Sequence, residues 1–145
     1  MKKKKMHPGK RYLLEIRKID AMLENKKAEL KYWNDIALSS TLQITERVQS
    51  SGSQQIMADA VVNALSVQEE INDCVIALKN KKDEIIDVIE QLNVDEYDLL
   101  HKVYIQYYTL KEYQWFKKTS YRSVISIHGN ALNNVMHILE RKKDE

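Results

Sequence analysis

The sequence has few of the residues that make tight turns and cross-links. Among 145 residues it holds one proline, three glycines and a single cysteine, Cys74. So few turn-forming residues disfavour β-sandwiches and barrels, and a lone cysteine has no internal disulfide partner. No apolar run approaches the roughly 20 residues of a membrane span, and no apolar segment follows the lysines at 2–5, as a secretory signal would require. These absences predict an all-α protein in a reduced, cytoplasmic setting, with no membrane association.

Catalytic and metal-binding motifs are also missing. The four histidines do not have the spacing of a metal site, and Cys74 has no His or Asn close to it in the sequence. There is no phosphate-binding loop, dinucleotide fingerprint or nucleophile elbow. We therefore expect a protein that is not an enzyme and that needs no cofactor and no metal.

The charges are divided into three blocks. Residues 1–53 carry 12 Lys and Arg against 6 Asp and Glu, residues 54–100 carry 3 against 11, and residues 101–145 carry 8 against 4. The acidic middle block either packs near a basic segment, leaving other basic surface free for a partner, or is a solvated helix face. A basic N-terminal arm over residues 1–9 is expected to be flexible.

Two long helices are predicted before residue 93. Apolar residues recur every three or four positions from Leu13 to Leu30, which predicts a helix over residues 10–38. Residues 39–53 are rich in Ser, Thr and Gln and predict a loop. A seven-residue apolar repeat then predicts a second helix over residues 54–92. Together, residues 10–92 predict a long antiparallel helical hairpin, resembling a coiled coil.

The second helix is too long for the first to cover its whole apolar seam. The seam positions are Met57, Val61, Ala64, Gln68, Ile71, Val75, Leu78, Lys82, Ile85, Ile89 and Leu92. A second copy of the chain is therefore expected to cover the rest, which predicts a homodimer. Gln68 and Lys82 either lie at the edge of the seam or fix its register.

The C-terminal region has the pattern of a helix-turn-helix domain over residues 93–140, with a charged tail over residues 141–145. Asp95 is a candidate N-cap for a helix that ends near residue 108. Thr109, with Glu112 three residues later, predicts a capping box for a short helix over residues 110–116. A turn over residues 117–119 follows, and Ser120 is expected to cap the last helix. Gly129 inside that helix marks a local cost in stability, a bend or a close contact.

This arrangement suggests how the domain binds double-stranded DNA. Residues 109–143 hold 7 Lys and Arg against 2 acids. The second helix of such a pair enters the major groove by its N-terminal end. The expected base contacts are Ser120, Tyr121, Arg122, Ser123 and Ser126. The expected phosphate contacts are Lys111, Lys117, Lys118, Lys2, Lys3, Lys4, Lys5, Lys10 and Arg11. The alternatives are a plain three-helix bundle and, for the N-terminal lysines, a solvated tail.

Aromatic residues are concentrated at the start of this domain. The six are Tyr97, Tyr104, Tyr107, Tyr108, Tyr113 and Trp115. We expect them to form the core of the helical bundle rather than a platform on which bases stack.

Three stretches carry a resemblance to a known family: TLKE at 109–112, TSYRSV at 119–124 and IHGNAL at 127–132. They resemble the promoter-reading C-terminal region of bacterial sigma factors. Over about residues 10–140 the chain resembles phage-encoded late-gene transcription regulators of the ArpU/RinA type. The resemblance implies a helical arm with a sigma-like helix-turn-helix of three to four helices, a cytoplasmic setting and control of phage or prophage transcription. Host RNA polymerase or another host protein is a further candidate partner.

The sequence departs from that family pattern at three positions. Gln114 stands where such domains usually have Ala or Gly, and Lys117 and Thr119 stand where an apolar residue is usual. These departures leave an alternative of another class open. In it, the helix-turn-helix is degenerate, and the acidic helical arm sequesters a host protein.

Overall fold

A computed structural model describes residues 5–46 and 51–144, and these ranges contain helices and no strand. In chain order the elements are α1 (Pro8–Glu46), α2 (Ser51–Ile89), α3 (Val94–Leu100), a π-helical turn over His101–Ile105, α4 (Leu110–Lys117) and α5 (Tyr121–Lys143). The all-α prediction is confirmed for this part of the chain. The chain divides into two compact units, a terminal unit of Met1–Lys18 with Lys79–Glu145 and a central unit of Ile19–Leu78. The division falls inside α1 and α2, whereas the sequence suggested a boundary near residue 93.

The two long helices are longer than predicted. Pro8 opens α1, where a residue without a backbone N–H costs nothing because that donor would have no intrahelical partner. After Gly9 no Pro or Gly interrupts the chain before residue 52, and Ser and Thr cost a helix only a few tenths of a kcal/mol each. The predicted loop is therefore wrong over residues 39–46 and 51–53, which are helical. Its residues 47–50 lie outside the described part of the chain.

In the central unit α1 packs against α2. Leu23 of α1 is buried with Val67 and Ile71 of α2, and the larger cluster also takes in side chains that are partly buried: Leu30, Trp33, Cys74 and Leu78. Beside this core the Lys26 Nζ lies 2.7 Å from a Glu70 carboxylate oxygen. This pair ties a basic residue of α1 to the acidic stretch of α2, as the charge pattern suggested.

The buried stripe of α2 shares every second position with the predicted seam and is displaced by one residue at the positions between. In the central unit the buried side chains are Ala60, Ala64, Val67 and Ile71, so the stripe steps by four, three and four residues. Ala64 and Ile71 belong to the predicted seam, whereas Val61 and Val75 are 45% and 48% exposed. Gln68 is exposed as well and bonds to Asn72 on its own helix at 3.1 Å. The predicted seam therefore differs at 61, 68 and 75 from the stripe that α1 covers, which lies on the neighbouring flank of α2, and coverage of these three positions by a second chain stays a prediction.

The remaining seam positions lie inside or beside the packed surfaces. Met57 is half-buried in the central unit, together with Leu78. In the terminal unit Ile85 and Ile89 are fully buried. Lys82 and Leu92 are half-buried there. No seam position in that unit is exposed.

The core of the terminal unit joins the start of α1, the end of α2 and the C-terminal helices. Its fully buried side chains are Leu13, Ile16, Ile85, Val88, Ile89, Leu99, Leu100, Val124 and Val135. Contacts between α1 and α2 in this unit run antiparallel, since Tyr12 donates to Glu84 at 2.7 Å and Lys81 pairs with Glu15 at 2.8 Å. The start of α1 thus packs on the same core as the C-terminal helices. The predicted arm of residues 1–9 overlaps α1 from Pro8 onward.

The helix expected up to residue 108 is shorter. Asn93, not Asp95, is the N-cap of α3, and its Oδ1 accepts a hydrogen bond from the Glu96 backbone N–H at 2.9 Å. After α3 the chain widens into the π-helical turn, and the helix ends before Tyr107, whose φ is 65°. None of the described helices carries an apolar stretch that is long enough to cross a bilayer.

Candidate nucleic-acid interface

Side-chain caps stabilise the first turn of α4 and the first turn of α5. The Thr109 hydroxyl accepts from the Glu112 backbone N–H at 3.1 Å, and the Glu112 carboxylate accepts from the Thr109 N–H, so the predicted capping box is confirmed. Lys118 adopts the left-handed conformation with a φ of 52° and ends α4. Ser120 caps α5 as predicted, accepting from the Ser123 N–H at 3.1 Å. The short connection leaves the first turn of α5 at a fixed, capped position.

One face of α5 is buried and the opposite face is open. The buried side chains are Val124, Ala131, Leu132, Val135 and Ile138. They pack against α3 and α4, the two elements that contact α5 most within the unit. The opposite face carries Arg122, Ser126, Gly129 and Asn133, which are all exposed and recur at four, three and four residues. This exposed row is polar along its whole length.

The five predicted base contacts fall into two groups, side chains that are open and side chains that bond to each other. Tyr121, Arg122 and Ser126 are exposed on the first two turns of α5. Ser120 and Ser123 are exposed too, but their hydroxyls lie 2.9 Å apart and bond to each other, while the Ser120 oxygen also caps the helix. Arg122 is therefore the strongest base-contacting candidate, because its guanidinium offers two parallel donors to a guanine edge.

The predicted phosphate contacts are also divided. Lys111 and Lys118 are exposed on α4 and its C-cap, and Lys5 and Arg11 are exposed at the chain start. Lys10 is half-buried. Lys117 differs, because its Nζ lies 3.1 Å from an Asp98 oxygen and is drawn back toward α3. The remaining three, Lys2, Lys3 and Lys4, lie outside the described residues.

Asp98 joins α3 to α4 through three donors. It accepts from Tyr113 at 3.0 Å, from Lys117, and from Lys102 on the following turn. Burial alone would raise the pKa of this carboxyl, but the hydrogen bonds from Lys102, Lys117 and Tyr113 outweigh it and lower the pKa. Burial, the bond to Asp98 and nearby carboxylates raise the pKa of Tyr113, which stays a donor. Asp98 thus fixes the angle at which α4 leaves α3.

A second polar group ties α5 to the π-helical turn and to α1. The Tyr104 hydroxyl lies 2.8 Å from His128 Nε2, and the two rings stack with centroids 5.9 Å apart. Arg17 lies over the Tyr104 ring and donates to the Val103 carbonyl at 3.1 Å. Burial raises the pKa of Tyr104 to about 12 against the effect of Arg17. No local pattern marks Arg17 in advance, because its partner carbonyl is 86 positions away in the chain.

The sequence predicted that all six aromatic residues lie in the core, but only some of them do. Tyr104 and Tyr113 are buried and Tyr97 is half-buried. The exposed ones are Tyr107, Tyr108 and Trp115, of which Trp115 is 86% exposed. Phe116 beside it is 67% exposed. Trp115 and Phe116 line a groove of about 450 Å³ together with Lys102, Tyr108, Lys111, Glu112 and Tyr113.

Comparisons with protein-family models, curated protein sequences and solved structures returned no match for this chain. The described residues contain no group of three His, Cys, Asp or Glu side chains placed to hold a metal ion. The exposed surface of α5 and its capped turn are therefore the features on which a function can be argued.

Proposed function

We propose that the chain is a DNA-binding transcription regulator of a phage or prophage, acting in the cytoplasm, and that the start of α5 binds double-stranded DNA. The exposed polar row that begins at Arg122 supports this proposal most directly. A helix held by its apolar face, with its N-terminal end open and polar, suits insertion into the major groove. Lys111 and Lys118 then bind the phosphates along the edges of that groove.

The proposal assigns different tasks to the exposed residues. Arg122 reads a base, and Tyr121 and Ser126 contact base edges or the adjacent backbone. Ser120 and Ser123 keep their hydroxyls in the cap, so their role is to hold the first turn of α5. Lys117 is bound to Asp98 and contributes to the backbone contacts less than Lys118 does.

Recovery of the DNA bound to the protein in its host tests the proposal. The expected result is a small set of related sites, and a duplex from such a site should bind more tightly than a scrambled duplex at equal salt. The resulting sites would also show whether the regulated genes lie in a phage or prophage region. Binding that is equal on both duplexes over the whole salt series would contradict sequence reading by α5.

The proposed regulator is a homodimer whose contact is the exposed stripe of α2. This stripe consists of Val61, Val62, Leu65, Val75 and Ile76, each 45–64% exposed. They lie in the central unit beside the stripe that α1 covers, and their spacing is that of a surface for another helix. Exposed Gln68 and Asn72 lie between the apolar residues, as a polar pair that fixes register would.

Sedimentation of matched variants tests the dimer. Leu65→Glu with Val75→Glu should give monomers that keep the helical content, since both side chains are exposed in the single chain. Ser66→Glu with Ala77→Glu changes exposed positions on the same helix and should leave the dimer intact. An unaltered protein that sediments as a monomer at high micromolar concentration would overturn the dimer.

A second candidate function is the capture of a host protein, RNA polymerase or another target, by the acidic surface of α2. The observation in its favour is that Glu69 and Asp73 are exposed in the central unit. Glu70 is engaged with Lys26, so it contributes less to that surface. Glu69→Lys with Asp73→Lys should leave binding to the recovered DNA site unchanged if α5 carries the function. Loss of regulation with DNA binding intact would instead favour this second candidate.

A further inference from the structure

The start of α1 lies directly against α5 in the terminal unit. Gly9 is buried, and a Cβ atom placed on it would be 2.5 Å from the backbone carbonyl oxygen of Leu132. No residue but glycine allows this approach without a shift of one helix. The glycine is therefore the point at which the chain start is seated on α5.

His7 secures the same contact from the side. The Gly9 backbone N–H donates to His7 Nδ1 at 3.0 Å, which leaves the ring proton on Nε2. Nε2 lies 2.7 Å from the Oδ1 of Asn133 and donates to it. Together His7 and Gly9 contact two successive residues of α5, so the direction of the chain start is determined as well as its position.

Asn133 belongs to the exposed row of α5 that begins at Arg122. The two residues are 11 positions apart, which places them about 16 Å apart along the helix axis. The side chains of Lys5 and Arg11 are exposed on either side of the seated segment. The sequence places Lys2, Lys3 and Lys4 directly before Lys5. The far end of the row is thus basic because of α1, although α5 itself is uncharged between Arg122 and Glu140.

The positive charge of the chain start acts on α5. Burial, with smaller contributions from Lys10 and His7, lowers the pKa of His128 to about 4. His128 therefore stays neutral and accepts the hydrogen bond of Tyr104. The charge of Lys10 lies close to α5, with no carboxylate of α5 between residues 121 and 139 to neutralise it.

We propose that the start of α1 is a second DNA-backbone contact, seated on α5 by His7 and Gly9 and aligned with the row that reads the duplex. This inference rests on the proposed function of α5. Lys5, Lys10 and Arg11 bind phosphates that flank the base contact of Arg122, and His7 and Gly9 are positioning residues. The partner is a DNA duplex. The basic groups lie too far from Arg122 for a single phosphate group to contact both, whereas a neighbouring stretch of the DNA backbone can reach them.

Salt-dependent binding of charge variants tests the contact. Lys5→Gln with Arg11→Gln should weaken binding to the recovered site and to a scrambled duplex by similar factors. The slope of log affinity against log salt should become shallower by about 2, because two phosphate contacts are lost. The matched control is Lys27→Gln with Lys31→Gln, which removes two exposed charges from the central unit and should leave the slope unchanged.

Variants at His7 and Gly9 keep every Lys and Arg side chain of the chain start. They therefore separate the effect of where these side chains lie from the effect of their charge. Gly9→Ala pushes the chain start off Leu132, and His7→Ala removes the bond to Asn133 without adding a clash. Each should make the salt slope shallower at temperatures where unfolding curves show the protein to be folded. A cleavage reagent attached at Lys5→Cys, in a Cys74→Ser background, should cut the DNA beside the recovered site, and His7→Ala should spread those cuts.

The outcomes separate this inference from the proposed function. A protein that prefers its site but has the same slope with or without Lys5 and Arg11 would overturn the second contact and leave α5 in place. Cuts from residue 5 that are absent from the bound duplex would overturn it as well. A protein without any preference for a recovered site would contradict the proposed function itself.

Discussion

The exposed surfaces of α2 and α5 differ in chemistry, although each helix buries one apolar stripe. Between Val61 and Ile76 the open surface of α2 carries a stripe of large aliphatic side chains beside polar and acidic ones. Between Arg122 and Asn133 the open surface of α5 is mainly polar. An aliphatic surface gains free energy by leaving water, whereas a polar row keeps its hydration until donors and acceptors of a partner replace it. The difference supports the proposals of protein contact by α2 and nucleic-acid contact by α5.

The two surfaces also differ in how firmly their backbones are held. The start of α5 is fixed by the Ser120 cap, and its helix is joined to α3 by Asn134, which donates to both oxygens of the buried Glu96 at 2.9 and 3.0 Å. The stripe of α2 lies beside a core whose buried cluster of Leu23, Val67 and Ile71 is completed by side chains that are only partly buried. Precise readout needs the first arrangement, while helix pairing tolerates the second.

The largest expected effect separates the inside of α2 from its exposed stripe. Ile71→Ala should cost about 2–5 kcal/mol in the free energy of unfolding, because it leaves a cavity beside Leu23 and Val67. Val75→Ala, four residues later, should change the stability of the single chain by ~0.5 kcal/mol or less. Denaturant unfolding at low protein concentration measures both. Equal costs would contradict the register of the buried stripe.

The next effect separates the two ends of α5. Arg122→Ala should lose about 1–3 kcal/mol on the recovered site and relax preference at one base pair, because a bidentate contact is removed. Arg141→Ala, exposed near the end of the same helix, is the matched control and should keep that preference. Lys118→Ala should weaken binding to all duplexes alike and lower the salt slope by about 1. Titrations on the site and on a scrambled duplex distinguish the three results.

A smaller effect concerns the join between α3 and α4. Asp98→Asn should lower stability by roughly 1–2 kcal/mol near neutral pH, since its charged hydrogen bonds are weakened. The folded-state pKa of Asp98 is lowered, so its contribution is present above the usual carboxyl pKa and is lost as the pH falls through the folded-state value. The difference between the two proteins should therefore shrink in acid. Asp73→Asn, at an exposed position of α2, is the control and should change stability little near neutral pH.

The smallest effect is a gain in stability. Gly129 lies inside α5, and a Cβ atom there would meet nothing within 4 Å. Gly129→Ala should therefore stabilise the protein by about 0.5–1 kcal/mol, because alanine is the better helix former. Thermal unfolding measures the gain. An unchanged or lower stability would contradict the open surroundings of Gly129.

Much of the local structure follows from residue pattern. The caps at Thr109 and Ser120 and the helix that starts at Leu110 were predictable, because each depends on hydrogen bonds between residues three positions apart. Asn93 was a harder case, since Asp95 two residues later has the same capping chemistry. The predicted loop was wrong over residues 39–46 and 51–53, because Ser and Thr cost a helix little and so do not by themselves end one.

The sequence by itself determined that the chain is helical, where α4 and α5 begin, and that α2 carries an apolar seven-residue repeat through Ala64 and Ile71. Only the tertiary structure decided which flank of that repeat α1 covers, because a repeat of seven residues is compatible with either flank of a helix. It also decided that Trp115 lies outside, that Lys117 is bound to Asp98, and that Gly9 is seated on Leu132. These outcomes depend on distances between residues far apart in the chain, which local periodicity does not contain.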